Sequence, residues 1–154
     1  MKKYFLPVLL VLWSPTFAVA QSATVAEVTE TIIEHHRYRN ENRTVMPDSY
    51  SSEGALEFRS SGGLLIEVTN RDTDQWEFFN VTPKHIRVIP IVEGQVAVAH
   101  YYAEGAMQPK GFAAVSHYMT RVSQVFVKEG DRWVIRSSHW SPVAAGSGTT
   151  QSVQ

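Results

Sequence analysis

From Ser22 to about Arg39 the apolar positions fall at helical spacing, and from Glu77 to Ser141 they alternate as in strands. In the first segment Val25, Val28, Ile32 and His36 share one stripe, and Glu27, Glu30, Glu34 and Arg37 take the other side. Thr24 and Glu27 have capping-box spacing, which predicts the helix start. Asn40 to Ser52 is polar, holds Pro47 and reads as a loop. Ala55 to Arg59 reads as a strand with Leu56 and Phe58 on one face. Gly62-Gly63 breaks it, and Leu64 to Val68 reads equally as a resumed strand or a short helix. Asn70 to Gln75 is a polar turn.

The later runs predict Phe78–Thr82 and Lys84–Ile91 as strands parted by Pro83, then Gln95–Glu104, Ser116–Lys128 and Arg132–Ser141. Val92-Glu93-Gly94 and Glu129-Gly130-Asp131 are tight turns, and Gly105 to Gly111 reads as a loop. One helix followed by consecutive antiparallel strands predicts an α+β fold, a curved sheet packed on its N-terminal helix around a cone-shaped cavity. In Gln95–Glu104, Val96, Val98, His100, Tyr102 and Glu104 share one face, and Ala97, Ala99, Tyr101 and Ala103 the other. Neither face is wholly polar, nor is either face of the next two strands. A sheet covered on both sides is expected, by its helix on one and by a second subunit in a homodimer on the other.

Composition adds limits. The chain has 154 residues, enough for one domain. It opens with Met1-Lys2-Lys3, continues through an apolar run from Tyr4 to Trp13 and reaches Ala18-Val19-Ala20, the layout of a signal peptide cleaved after Ala20. Residues 1–20 are read as that leader, 22–142 as the domain and 143–154 as a disordered, small and polar tail. An exported protein, periplasmic or secreted, follows. No stretch is long enough to span a bilayer, so no membrane association is expected after cleavage. There is no cysteine, which excludes disulfides, thiolate metal sites, a thiol nucleophile and a lipoprotein anchor. The net charge is −1, and loss of Lys2 and Lys3 with the leader takes it to −3. That leaves no basic footprint for nucleic acid.

The segments Thr82-Pro83-Lys84-His85-Ile86-Arg87-Val88, Val96-Ala97-Val98-Ala99-His100-Tyr101-Tyr102 and Gly130-Asp131-Arg132-Trp133 with His139-Trp140-Ser141 resemble the nuclear transport factor 2-like superfamily. The likeness is to its SnoaL-like members and to the calcium/calmodulin-dependent kinase II association domain. It covers most of Val25 to Pro142. The resemblance implies the cone-shaped fold and the position of its cavity, and no single activity, since members include isomerases, dehydratases, cyclases, hydrolases and assembly modules. The kinase domain's cavity arginines fall here on Tyr102, Gln124 and Trp140, none of them basic. Arg121 and Arg136 lie nearby, where a strand bulge would turn either inward.

The expected ligand pocket comprises His100, Tyr102, Gln124, Ser138, His139 and Trp140. It would hold a small, mostly apolar molecule, with Trp76 and Trp140 as walls. His100, Tyr102 and Glu104 at alternate positions suit proton transfer as in a lyase, isomerase or cyclase, or equally a polar ladder near solvent. His139 reads as a proton shuttle or as a strand-end histidine before the terminating Pro142. A third reading is an oligomeric scaffold. No histidine pair has metal-ligand spacing, and neither a nucleophile elbow nor a phosphate loop is present, so no metal or cofactor is expected. Asn42-x-Thr44 and Asn80-x-Thr82 are glycosylation sequons, meaningful only in a eukaryotic secretory route.

Overall fold

The computed structural model describes residues 22–71 and 75–143. The expected leader (1–20), all of the expected tail (143–154) but Val143, and the acidic pair Asp72 and Asp74 lie outside the described residues. Helix α1 (Ala23–Asn42) is followed by six strands: β1 (Ala55–Phe58), β2 (Ile66–Val68), β3 (Trp76–Val92), β4 (Val96–Pro109), β5 (Val115–Glu129) and β6 (Arg132–Pro142). They form one curved, unclosed sheet in the order β2-β1-β6-β5-β4-β3. All neighbours are antiparallel except β1 and β6, which run parallel.

The helix starts where its backbone donors find oxygens. The expected Thr24–Glu27 capping box does not form. Ser22 is the N-cap, and its Oγ accepts from the Val25 amide at 3.3 Å. Thr24 instead bonds the β3–β4 turn: its Oγ1 accepts from the Gly94 amide at 2.8 Å, and its amide donates to Glu93 Oε1 at 3.3 Å. That turn carboxylate lies at the positive end of the helix. The Glu27 carboxylate instead accepts from Lys128 and Trp133, so the helix is tied to both long hairpins.

Val28 and Ile32 press against Val81, Ala97, Ala99, Ala103 and Phe126 in the core. The alanines of β4 let the helix lie close to the sheet, which it meets chiefly at β3. At the far end of the helix Asn40 completes β3: Oδ1 accepts from the Val81 amide and Nδ2 donates to its carbonyl, at 3.0 and 3.2 Å. Two sequence expectations change here. Pro83 does not divide β3, because β3 is an edge strand and a missing N–H on the solvent side costs no ladder bond. Gly105 to Pro109 is not a loop but the outer part of β4, paired with Trp76 to Val81.

Candidate functional site

Beyond the C-terminal end of the helix the curved sheet leaves a cavity of about 740 Å³. Its walls are aromatic: Trp76 and Phe79 from β3, Tyr118 from β5 and Trp140 from β6. Trp76 and Phe79 sit 4.9 Å apart between ring centres. Behind Trp140 the rings of Tyr101 and His36 close the floor, with centres 6.2 Å from it. Phe112, largely exposed, carries the apolar surface out to the rim.

Arg39 enters this space from the last turn of α1. Its guanidinium carbon lies 5.4 Å from the Trp76 ring centre and 5.5 Å from that of Phe79. Cation–π attraction holds it there. Among the described residues no hydrogen bond or ion pair reaches it, and its Nε is buried without a partner. Across the cavity the buried carboxylate of Glu57 is already matched: Oε1 accepts from Arg59 Nε at 3.1 Å and Oε2 from Ser138 Oγ at 2.6 Å. Lys110 adds a third cation at the rim, so the described lining carries more positive than negative charge.

His36, one turn before Arg39, is buried, and its pKa is pushed down to about 3 by desolvation and then by the Arg39 charge. It is therefore neutral at neutral pH and does not add to the charge. Its Nδ1 faces the Val81 carbonyl at 3.3 Å. Burial likewise raises the Tyr101 phenol well above its ordinary range; the hydroxyl donates to Gln124 Oε1 at 2.8 Å and stays a proton donor.

The six expected pocket residues divide by strand parity. Trp140 lines the cavity. Ser138 and Gln124 are buried on the same side of the sheet, where they anchor Glu57 and Tyr101. His100, Tyr102 and His139 are exposed on the opposite face, because β4 turns Ala99, Tyr101 and Ala103 toward the helix. None of those three lines the cavity, so a proton-transfer site built on them would not lie within it. His100 Nδ1 meets Ser123 Oγ at 2.9 Å, Tyr102 packs edge-on against His85, and His139 packs against Phe58. A bulge does fall at Arg136, but it sends the guanidinium to the Gly54 carbonyl, away from the cavity. Arg121 stays exposed, its guanidinium 3.5 Å from the Pro142 carbonyl.

Arg39 and Glu57 were not singled out from the sequence. Both had a signal. Arg39 continues the buried stripe of Ile32 and His36, and Glu57 alternates with Leu56 and Phe58, which point outward. Among the described residues no group of three or more His, Asp or Glu side chains is placed to hold a metal ion.

Solved structures share the architecture. A proposed calcium/calmodulin-dependent kinase II association domain from Exiguobacterium sibiricum superposes with a TM-score of 0.58 at 17% identity, covering 80% of this chain and 96% of the other. A nuclear transport factor 2-like protein of unknown function from Pseudomonas putida gives 0.53 at 15% identity, covering 77% and 86%. A kinase II hub homology domain from Chlamydomonas reinhardtii gives 0.53 at 17% identity, covering 79% and 99%. These likenesses concern the fold. A comparison with curated proteins found no match. The family model for the SnoaL-like domain matches residues 57–145, more than half of the chain. The chain belongs to the SnoaL-like domain family, within the nuclear transport factor 2-like superfamily.

Proposed function

We propose that this is an exported binding protein whose cavity holds a small, mostly apolar molecule bearing one anionic group. The observation that carries the reading is Arg39, a cation held against two neighbouring aromatic rings at the cavity wall with no anion of its own. A guanidinium N–H buried without an acceptor is costly, and a ligand carboxylate would supply one while the aromatic walls take the apolar body. Glu57 does not compete for that role, because Arg59 and Ser138 already engage it. Export rests on the leader-like first twenty residues. Self-association through the exposed sheet face is part of the same proposal, supported by the apolar side chains that face carries.

Calorimetric titration with 4-phenylbutyrate and its neutral analogue 4-phenylbutanol tests the ligand class. The carboxylate should bind more tightly. Arg39→Met should weaken it by about tenfold or more and leave the alcohol unchanged, as expected for one charge-assisted contact of roughly 1.5–3 kcal/mol. Equal binding of the two compounds, or no effect of the substitution, rejects the anionic reading.

A further inference from the structure

A second cleft, of about 530 Å³, lies on the flank of α1 and shares no lining residue with the cavity. It is bounded by the helix edge Glu27, Glu30, Thr31 and Glu34, by the loop at Met46 and Pro47, and by the end of the β5–β6 hairpin. Its charges are unequal: those three glutamates with Asp48 and Asp131 outnumber Lys128 and Arg132. Contacts within the chain use part of the set. Lys128 Nζ lies 2.6 Å from Glu27, Arg132 lies 3.3 Å from Asp48, and Arg37 pairs with Glu34 from outside the cleft. The Glu30 and Asp131 carboxylates make no side-chain hydrogen bond or close ion pair among the described residues, and Glu30 acts on Arg37 only through its charge.

His35 supplies a second and independent observation. It lines the cleft at 9% exposure, and no hydrogen bond reaches either ring nitrogen among the described residues. Desolvation, then the Arg39 charge, pushes its pKa down to about 4. At neutral pH it is an uncharged imidazole with one acceptor and one donor nitrogen, both unused. Most of the side chain is buried, so its ring nitrogens are open only to what enters the cleft, and a donor arriving there would complete them.

We propose that this cleft is a second ligand site, which takes an alkylammonium group between His35 and the glutamates of α1. An ammonium has three donors and no acceptor, which suits a lone imidazole acceptor beside carboxylates. The chain already shows the pairing in its own material: the Lys128 ammonium rests on Glu27 and lies 5.2 Å from the Trp133 ring centre. A divalent metal fits less well, because no three ligating groups converge among the described residues. Met46, Pro47 and Trp133 offer the apolar wall for the attached methylenes. The site does not depend on the cavity reading.

The test is titration of the full chain with 1,4-diaminobutane at 0.15 M salt, followed by amide and imidazole NMR, with 1,4-butanediol as the neutral control. The diamine should shift the His35 ring signals and the amides of residues 27–35 and 128–133, and the diol should not. Glu30→Gln combined with Asp131→Asn, both at exposed positions, should weaken binding about fivefold without touching the core. His35→Phe should abolish the local shifts; the rim double variant carries the test if that protein does not fold. A lysine-containing peptide that produces the same shifts more tightly supports the same site, with a partner's lysine as the source of the ammonium. Equal responses to diamine and diol overturn the proposal, as do shifts scattered over the whole acidic surface or binding indifferent to the rim substitutions.

Discussion

His36 and His35 are buried on the same helix and kept neutral, with pKa values pushed down to about 3 and about 4. In the unfolded chain both take a proton near 6.5. Between these values the unfolded state binds more protons, so stability is flat above about pH 6.5 and falls as the pH drops toward 4. At pH 5 the loss is on the order of 2 kcal/mol for each histidine. The carboxylates of Glu27, Glu93 and Glu129, held below their ordinary range by hydrogen bonds, act only at lower pH. Urea unfolding at pH 7.5, 6.5 and 5.5 should show the decline. His36→Phe should make it shallower, since Asn40 still donates to the Val81 carbonyl. A pH slope identical to that of the parent would reject this assignment. At this scale the sequence was partly legible. The stripe of Val28, Ile32 and His36 was readable from spacing alone. Arg39 continues that stripe by spacing, but its role was not legible, because a charged residue there reads as the end of the stripe until the aromatic rings that receive it are known to be adjacent.

β4 bends at Gly105, where the register with β5 shifts and the β3 backbone passes close by. A Cβ at this position would lie 2.0 Å from the Asn80 carbonyl oxygen and 2.9 Å from Val81 Cα. Both are backbone atoms of a paired strand and cannot move aside cheaply. Gly105→Ala should therefore cost at least about 3 kcal/mol in chemical denaturation, and a loss under 1 kcal/mol would mean that the strand relaxes freely. The same glycine explains why this stretch of β4 does not read as a strand from sequence. In sequence, Gly105 to Gly111 has the composition of a loop. In the sheet it is a bend followed by more strand, and that continuation brings Met107 and Pro109 to the cavity wall. Long strands, tight turns and the single helix were legible because each shows in local pattern. The parallel pairing of β1 with β6 joins segments some eighty residues apart, and no local pattern encodes it.

Over the whole molecule the two faces of the sheet differ. The helix covers one. On the other, cross-strand pairing sets Ile89, Val98 and Val125 in one row and Arg87, His100, Ser123 and His139 in the next. Tyr102 and Met119 lie beyond, and Ile89, Tyr102, Met119 and Phe58 are 51%, 39%, 42% and 45% exposed. The alternation that left no strand with a wholly polar face is thus present in the structure, and nothing among the described residues covers the outer side. Two such faces brought together would bury the valine and isoleucine row of each copy, and a stable pair needs about 800 Å² from each partner. Sedimentation of the full chain at micromolar concentration should give twice the monomer mass. Ile89→Lys and Val98→Lys place an ammonium in that row without disturbing the helix side of the sheet. Each should weaken association by at least about tenfold, since an unpaired charge would be desolvated at the contact. The Arg39-dependent binding of a carboxylate should survive both substitutions, because the cavity opens on the opposite side of the sheet. A monomer at every concentration, or a dimer indifferent to the lysines, would reject this face as the interface.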